Sequence, residues 1–501
     1  MQSHLFNPVD FRLILPEVQL SLFGLGILLT DFLLEPRYKY WNAVMAMLGV
    51  GFSGYTLWQL RRPIADQGDI YGFSGSLLVD PFFLFFGFLF LAATALVILL
   101  SVRYMEIEAE HHGEYYSLML FATVGMMFMT AGIDLIVQFI GLETMAISFY
   151  ILAGFLRDDR RSNEGALKYL LLGAFSSGIL AYGFSIMYGM TGSTNLRVIT
   201  AEFIRRAGSG MDLLVVLSVT TVAAGLFFKI AAVPFHQWAP DVYEGAPTTI
   251  TAYISVASKT ASFALLLRLF QTAFWPARPS WTLLLAGVAV ASMTLGNLAA
   301  ITQSNIKRLL AYSSISHVGY VLLGLVAAAT GPQVNVTGLK AVAFYLFAYA
   351  FMNIGAFAIV IVLRRQGLIG DDLEDLNGLI QRSPSAAVLL LIFMLSLAGV
   401  PPTAGFVGKY YIFLSLIETG HYYLAIFAVL YIIPAVYYYF RIVMHAWMRE
   451  STDPVRPVIS PAQALALTVT VFVSLVAGLY PEPFVRLASY SLFLPFTPVG
   501  R

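Results

Sequence analysis

Long apolar runs alternate with short polar connections along the whole chain, a pattern typical of a protein that crosses a membrane many times. A helix needs about 20 apolar residues to cross a bilayer, and we count roughly fourteen such runs. We predict spans at residues 13–34, 41–60, 77–101, 115–131, 134–156, 164–190, 212–233, 248–271, 281–301, 307–329, 338–363, 385–417, 421–447 and 461–480. Residues 1–501 are therefore predicted to form a single all-α transmembrane domain.

The composition supports this class and excludes several others. Of 501 residues, 59% are hydrophobic and 11% are charged, and the mean hydropathy is +0.78, which excludes an ordinary soluble enzyme. A formal net charge of +1 leaves no basic face for nucleic acid. The chain has no cysteine, which excludes disulfides, thiolate zinc sites and iron–sulfur clusters. Redox chemistry associated with this chain is therefore expected on another polypeptide or on a cofactor held by other means.

Two predicted spans are interrupted by residues that a regular helix does not tolerate. The seventh runs from Lys229 into Pro234 and then becomes polar, and the twelfth contains Pro401, Pro402 and three glycines. Proline lacks the N–H group that would bond to the preceding turn. Broken backbone at membrane depth persists only where protein or water satisfies it. We therefore predict a cavity or a polar path at each break.

The lysines are distributed differently from the arginines. Almost all of the 22 arginines lie in connections or at span ends, whereas five of the seven lysines lie inside predicted spans. These five are Lys168, Lys229, Lys259, Lys340 and Lys409. A cation at bilayer depth is unfavourable by a few kcal/mol, and a buried lysine, unlike an arginine, is able to release its proton. The set therefore indicates proton handling.

Glu143 is the main acidic residue predicted inside a span. A nearby carboxylate favours a protonated lysine, so a carboxylate that moves away would promote proton release. Two alternatives remain open. In the first, the lysines and Glu143 form static ion pairs that fix helix packing. In the second, the lysines extend to the membrane surface and keep their charge in water.

Similar spacings predict an internal duplication. His317 follows Glu143 by 174 positions, Lys340 follows Lys168 by 172, and Lys409 follows Lys229 by 180. The two broken spans also correspond. We predict two inverted five-helix repeats, over residues 115–271 and 281–447, with flanking spans over 13–101 and 461–480.

The basic residues of the connections predict the orientation. Thirteen lysines and arginines follow odd-numbered spans and nine lie on the other side, which favours both termini outside. The first apolar run is expected to be a retained span, because no basic segment or small-residue cleavage site accompanies it. His236, Trp238, Asp241 and Glu244 follow the seventh-span break on the cytoplasmic side. They are predicted either to form the mouth of an entry path or to cap helices.

Six segments resemble subunit N of bacterial complex I, the proton-translocating NADH–quinone oxidoreductase. They are Gly141–Glu143, Ser162–Gly173, Phe228–Pro247, Ala257–Lys259, Lys307–His317 and Gly399–Lys409. The longest reads FKIAAVPFHQWAPDVYEGAP, and the resemblance covers nearly the whole chain. It implies an antiporter-like subunit of the membrane arm, in the bacterial inner membrane. Its expected neighbours are subunit M and the small subunits K and J.

The resemblance also implies roles for individual residues. Glu143 would pair with Lys229, Lys259 would be the central relay of a hydrated axis, and Lys409 would be the exit-side site. No cofactor is expected on this chain, since flavin, iron–sulfur clusters and quinone would belong to other subunits.

Three further residues complete the predicted relay. Lys168 matches a lysine of the sixth span whose role is less clear, and His317 occupies a position where relatives place a polar residue. Lys340 lies near the start of its span, where it is the weakest member of the set. Two alternative functions remain: a component of an Mrp-type cation–proton antiporter, and a carrier for a small organic solute.

Overall fold

The helices that precede the first predicted repeat carry a small β-hairpin at one end. The structure, a computed structural model, describes residues 8–110, 112–207, 212–331, 333–365, 370–451 and 455–490. Its first helices are α1 (Pro8–Leu13), α2 (Leu15–Asp31), α3 (Trp41–Gln59), α4 (Arg61–Gln67) and α5 (Pro81–Glu108). Strands β1 (Ile70–Gly72) and β2 (Leu77–Val79) pair antiparallel, with Ile70 opposite Val79. Asp80 caps α5 by accepting a hydrogen bond from the Phe83 N–H at 2.8 Å.

The next eight helices cover the first predicted repeat. They are α6 (Gly113–Ala131), α7 (Leu135–Ala153), α8 (Arg160–Thr191), α9 (Leu196–Ala207), α10 (Leu213–Ile230), α11 (Trp238–Gly245), α12 (Thr248–Tyr253) and α13 (Lys259–Gln271). A π-helical turn, Ile254–Ser258, joins α12 to α13, so that the two form one continuous span. Such turns are rare, lie mostly inside α-helices and are frequent at functional sites.

The remaining helices cover the second predicted repeat and the C-terminal region. They are α14 (Arg278–Ile301), α15 (Ile306–Ala328), α16 (Val336–Leu363), α17 (Leu379–Arg382), α18 (Pro384–Ala398), α19 (Ala404–Glu418), α20 (Tyr422–Leu430), α21 (Ile432–Met448), α22 (Pro461–Leu479) and α23 (Glu482–Tyr490). Short 3₁₀ turns lie at Pro36–Tyr38, Phe73–Gly75, Trp275–Ala277 and Leu373–Leu376.

The all-α membrane fold is confirmed, while the count of fourteen spans stays a prediction. Within the described ranges, eleven helical stretches are long and apolar enough to cross a membrane. Three predicted spans lie outside those eleven stretches. They are 13–34, which corresponds to α2, 115–131, which corresponds to α6, and 385–417, which corresponds to α18 and α19. Helices α13, α15 and α16 are buried on nearly all sides and form the centre of the molecule.

Both predicted helix breaks are present. In the seventh span, α10 ends at Ile230 and Ala231 adopts a left-handed conformation, with φ of +57°. The helix thus ends four residues before Pro234, earlier than the missing proline N–H alone requires. The carbonyl of Phe228 accepts hydrogen bonds from the Ala231 N–H and from the Trp238 indole N–H, each at 2.9 Å.

The break in the twelfth span is built around a glycine. Helix α18 ends at Ala398, and Gly399 follows with φ of +84°, a conformation that favours glycine. A Cβ at this position would lie 2.7 Å from Cδ of Lys409, so only glycine admits the lysine chain so closely. Lys229 precedes its break and Lys409 follows its own, so the two lysines approach their breaks from opposite sides.

Candidate functional site

Lys229 is buried, and its amine contacts a tyrosine. The side chain lies in the last turn of α10 with 2% of the residue exposed, and Nζ donates a hydrogen bond to the Tyr150 hydroxyl at 3.1 Å. Tyr150 is in α7, two turns after Glu143 and therefore on the same face of that helix. A Cβ at Gly173 of α8 would lie 2.1 Å from the Tyr150 hydroxyl, so this glycine makes room for it.

Glu143 and Lys229 form no salt bridge in the described part of the chain. One carboxylate oxygen of Glu143, Oε1, is buried and has no hydrogen-bond partner among the described residues. The Lys229 amine therefore contacts the Tyr150 hydroxyl, whereas the sequence predicts a contact with the Glu143 carboxylate. A buried acceptor without a partner is unusual in proteins and marks a place where water or a rearranged side chain bonds.

Lys259 lies at the centre of the molecule, at the first residue after the π-helical turn. Its residue is 2% exposed, and Nζ donates a hydrogen bond to Oγ of Ser314 in α15. Ser314 also accepts a hydrogen bond from the Tyr349 hydroxyl of α16 at 2.9 Å. The Tyr243 ring centroid of α11 lies 5.5 Å from the same amine, within the range of a cation–π contact. Helices from both predicted repeats thus surround Lys259.

His317 continues this line one turn further along α15. Its Nδ1 is 2.6 Å from the Tyr345 hydroxyl and its Nε2 is 3.0 Å from the Tyr439 hydroxyl, with 4% of the residue exposed. The imidazole ring centroid is 5.1 Å from that of Tyr349. Because a neutral imidazole has one donor and one acceptor nitrogen, His317 is able to accept a proton on one side and release one on the other.

Lys409 is held by the carbonyl groups that the twelfth-span break sets free. Its Nζ donates to the carbonyl oxygens of Ala398 at 2.8 Å and Leu397 at 3.3 Å, and the residue is 2% exposed. The C-terminal end of α18 also carries a partial negative charge that favours a cation. Nζ lies 4.9 Å from the Tyr320 ring centroid. Tyr320 stacks against Tyr345, which connects Lys409 to the His317 group.

A row of aromatic rings connects Lys229 with Lys259. The centroid of Tyr150 is 4.7 Å from that of Tyr169, which stacks on Trp238 at 4.5 Å. Trp238 lies 6.4 Å from Tyr243, the ring next to Lys259. The structure therefore places Lys229, Lys259, His317 and Lys409 along one buried series of contacts. We refer to this series, with its tyrosines and Ser314, as the lysine line.

Two predicted relay residues lie away from the lysine line. The Lys168 side chain is 42% exposed and forms ion pairs with Glu164 at 2.8 Å and Asp241 at 2.7 Å. Lys340 is half-buried near the start of α16, and its Nζ lies 5.4 Å from the Tyr411 ring centroid. Neither residue has a described contact with Lys229, Lys259, His317 or Lys409.

The predicted mouth residues separate into a charged group and an inner group. Arg308 donates to Asp241 at 2.7 Å and to Glu244 at 2.8 Å, and Lys168 joins this network through Asp241. Trp238 is buried against the broken end of α10. His236 is half-buried, and its Nδ1 has no hydrogen-bond partner in the described ranges.

Sequence reasoning missed the partners of several buried charges. Arg268, fully buried, forms a salt bridge with Asp80 at 2.5 Å and donates to the Thr130 carbonyl at 2.9 Å. Lys307 resembled a surface residue beside Arg308, yet it is 3% exposed and donates to the Ala246 carbonyl at 2.9 Å. An arginine inside the apolar run 263–270 was the one available signal for the first of these.

Asp371 and Glu17 are acids whose burial the sequence pattern did not predict. Asp371 lies 3.4 Å from Lys307 Nζ, and burial raises the pKa of this carboxyl above its ordinary value. Glu17 in α2 is 2% exposed, and its Oε2 has no hydrogen-bond partner in the described ranges. Among the described residues, no three histidine, aspartate or glutamate side chains come together to hold a metal ion.

Comparison with known proteins agrees with this architecture. Residues 132–433 match the family described as NADH:quinone oxidoreductase/Mrp antiporter, transmembrane. NADH-quinone oxidoreductase subunit N 2 of Solibacter usitatus is 54% identical over 98% of this chain and 99% of its own length. NADH-quinone oxidoreductase subunit N 1 of Koribacter versatilis is also 54% identical, over 98% of this chain and 97% of its own length.

Solved structures share the fold. A chain of respiratory complex I from Thermus thermophilus superposes with a TM-score of 0.78 at 30% identity, covering 95% of this chain and 99% of its own. A chain of the Mrp complex from a Dietzia species reaches a TM-score of 0.80 at 21% identity, covering 95% and 96%. The second match, at this identity, concerns the fold alone. These findings show that the chain belongs to the NADH:quinone oxidoreductase/Mrp antiporter family and, within it, to the subunit N group of NADH–quinone oxidoreductase.

Proposed function

We propose that this chain conducts protons as an antiporter-like subunit of NADH–quinone oxidoreductase, along the lysine line. The observation that carries the proposal is the burial of three amines, Lys229, Lys259 and Lys409, each 2% exposed and each touching a polar group or ring of the line. Buried amines are costly in a bilayer, and a buried lysine, unlike an arginine, is able to release its proton there. Lysines that extended to the membrane surface would be exposed at their amines, and these three are not.

In this mechanism no electron enters the chain. Quinone reduction elsewhere in the complex alters the electrostatic environment of Glu143, and the proton on Lys229 is released when the carboxylate no longer favours it. The proton then passes to Lys259 and through Ser314, His317 and the tyrosines to Lys409, with water bridging the intervals between polar groups. The unpartnered Glu143 oxygen supports a carboxylate that changes partners during this cycle.

Lys168 and Lys340 take a peripheral part in this proposal. Lys168 belongs to the charged network of Asp241, Glu244 and Arg308, which would form the cytoplasmic mouth of the entry path. Two predicted inverted repeats, each with a broken span as its fourth helix, would supply paired half-channels. We further propose the orientation with both termini outside the bacterial inner membrane, and contact with subunits M, K and J.

The subunit N function is favoured over an autonomous antiporter by the relatives. Identity is 54% to the subunit N proteins and 30% to a chain of complex I, but 21% to a chain of the Mrp complex. A carrier for an organic solute would need a substrate-sized space at the breaks. Instead, the amine of Lys409 is bonded to the carbonyls of its break, and Trp238 fills the end of α10.

Replacement of Lys259 by methionine tests the proposal. Methionine keeps the length and bulk of the side chain but removes the titratable amine, so the whole complex in liposomes should take up fewer protons per electron pair while still assembling. Lys39→Met is the matched control, because Lys39 lies in a connection and pairs with Asp31 at 2.8 Å. Normal proton uptake by assembled Lys259→Met complex would contradict the relay. Glu143→Gln should lower coupled turnover more than it lowers the amount of complex.

A further inference from the structure

Lys307 is a buried lysine that the lysine line does not include. Its residue is 3% exposed, close to the 2% of each of the three amines in that line. Lys307 lies in the first turn of α15, where its Nζ donates a hydrogen bond to the Ala246 carbonyl at 2.9 Å. The same Nζ lies 3.4 Å from Oδ2 of Asp371. The two residues therefore form a buried lysine–acid pair outside the lysine line.

Asp371 connects this pair to the surface of the protein. It lies in the connection between α16 and α17, directly before the exposed Asp372. Its Oδ1 is buried and has no hydrogen-bond partner among the described residues, and burial raises the pKa of the carboxyl above its ordinary value. Arg364 also acts on this carboxyl but is itself bound to Glu108 at 2.5 and 2.9 Å. Asp371 is therefore able to take up a proton from the adjoining solution and to hold it beside Lys307.

Polar side chains lead from Lys307 toward the centre of the molecule. Oγ1 of Thr251 lies 3.4 Å from the Ala246 oxygen that Lys307 contacts. Ser255 follows one turn later in the same span, and its Oγ accepts a hydrogen bond from Nδ2 of Asn353 in α16 at 2.7 Å. Residues four apart on a helix have Cβ atoms about 5–6 Å apart, an interval that a water molecule bridges.

This series of polar groups ends at Lys259. Tyr349 lies four residues before Asn353 in α16, and its hydroxyl donates to Oγ of Ser314 at 2.9 Å. Ser314 is the residue that contacts the Lys259 amine. The four linking residues are each at most 5% exposed. We refer to Thr251, Ser255, Asn353 and Tyr349 as the polar branch.

We propose that Lys307 and Asp371 take up protons from the solution and pass them through the polar branch to Lys259. The inference rests on the proposed function, to which it adds a second supply of protons that does not pass through Lys229. A proton that binds Asp371 neutralises its carboxylate, so that the charged form of Lys307 is favoured less. The proton of Lys307 then moves along water held by the branch to the neutral amine of Lys259, and the proton of Asp371 moves to Lys307. Only N–H and O–H bonds form and break, and each round transfers one proton.

Replacement of Lys307 by arginine separates a proton carrier from a static ion pair that fixes the start of α15. Arginine keeps the charge and supplies donors for Asp371 and for the Ala246 carbonyl, but it does not release its proton in proteins. With the whole complex in liposomes, we expect Lys307→Arg to assemble and to lose as large a share of proton uptake per electron pair as Lys259→Met. Proton uptake at the wild-type level by assembled Lys307→Arg complex would overturn the proposal, because a static pair would then suffice.

Substitutions of Ser255 test the polar branch with every charge in place, which also covers the case in which Lys307→Arg fails to assemble. Ser255→Ala removes the hydroxyl and should lose the same share of proton uptake, whereas Ser255→Thr keeps a hydroxyl and should retain most of it. Ser262→Ala is the matched control and should leave uptake unchanged. Ser262 is equally buried in the same span and donates to the Ser258 carbonyl at 2.8 Å.

The outcomes separate this inference from the proposed function. Normal proton uptake in Ser255→Ala, together with a loss in Lys259→Met, would overturn the polar branch and leave the lysine line in place. Equal losses in Ser255→Ala and Ser255→Thr would also overturn the branch, because the hydroxyl would then have no effect. Normal uptake in Lys259→Met would instead overturn the proposed function itself.

Discussion

Replacement of Lys409 by arginine separates the charge of this residue from its ability to exchange a proton. Arginine supplies more donors than lysine for the carbonyl oxygens of Ala398 and Leu397, but it does not lose its proton in proteins. Methionine, by contrast, removes both the charge and the donors. The two variants therefore predict different combinations of assembly and proton flux.

The magnitudes follow from the contacts of the amine. Each hydrogen bond from a charged donor contributes about 1.5–3 kcal/mol, so Lys409→Met should destabilise the subunit by roughly 3 kcal/mol or more. Arginine keeps these bonds, but its larger side chain must fit beside Gly399 and should cost about 1–3 kcal/mol through overpacking. A proton that approaches a permanent cation to about 4 Å meets a repulsion of about 4 kcal/mol at an effective dielectric constant of about 20. This barrier corresponds to a rate about a thousand-fold lower through Lys409.

The assay compares proton uptake with electron transfer in the same liposomes. We expect Lys409→Arg complex to assemble better than Lys409→Met complex, while both lose the share of proton uptake per electron pair that this chain carries. Lys39→Met serves as the control for an ion-paired lysine outside the lysine line. Proton uptake at the wild-type level by Lys409→Arg would refute the argument, because it would show that a permanent charge suffices at this position.

Three further predictions concern other buried groups. Tyr150→Phe removes the hydroxyl that accepts a hydrogen bond from Lys229, an interaction of about 1.5–3 kcal/mol. The variant should take up protons more slowly while the amount of assembled complex stays the same. Proton uptake at the wild-type rate would argue against a role for this contact. Asp80→Asn leaves the fully buried Arg268 without its carboxylate and should destabilise the protein by about 3–5 kcal/mol. Less complex should assemble, and adding Arg268→Met to this variant should restore assembly. Normal assembly of the Asp80→Asn variant would disprove this. Burial raises the pKa of Asp371 above 3.8, so the carboxyl binds a proton more tightly in the folded state than in the unfolded state, and its contribution to stability declines as pH rises above about 4. In Asp371→Asn the midpoint temperature of thermal unfolding should therefore fall less steeply with rising pH above that value. A pH dependence equal to that of the wild type would contradict the assignment.

Local sequence determines much of this protein because membrane insertion depends on properties that add up along one helix. Apolar runs of sufficient length predict the all-α class, and Pro234, Pro401 and Pro402 predict both breaks. A lysine among apolar residues is visible without knowledge of its neighbours, which is why Lys259 and Lys409 were found. The six motifs identified the family for the same reason, since each is continuous in sequence.

Contacts across helices were much less accessible to sequence reasoning. Tyrosine and serine are common in this chain, and nothing in the local pattern distinguishes Tyr150 or Ser314 from residues of similar type. Which hydroxyl meets an amine depends on the rotation of two helices about their axes, and a partner such as Asp80 lies 188 positions from Arg268. For Lys168 the sequence predicted burial where the structure shows exposure. Its apolar neighbours along the chain favoured burial, but its side chain near the start of α8 is partly exposed.

Hydropathy and proline chemistry act within a single segment, so the amino-acid sequence was enough to place lysines inside apolar spans and to predict that two spans break beside lysines. The three-dimensional packing was needed to show which amines belong to the lysine line, that Tyr150 rather than Glu143 contacts Lys229, and that the carbonyls of α18 hold Lys409. The physical reason is that a hydrogen bond needs two groups within about 3 Å, and helix packing, not composition, brings groups from distant segments to that distance.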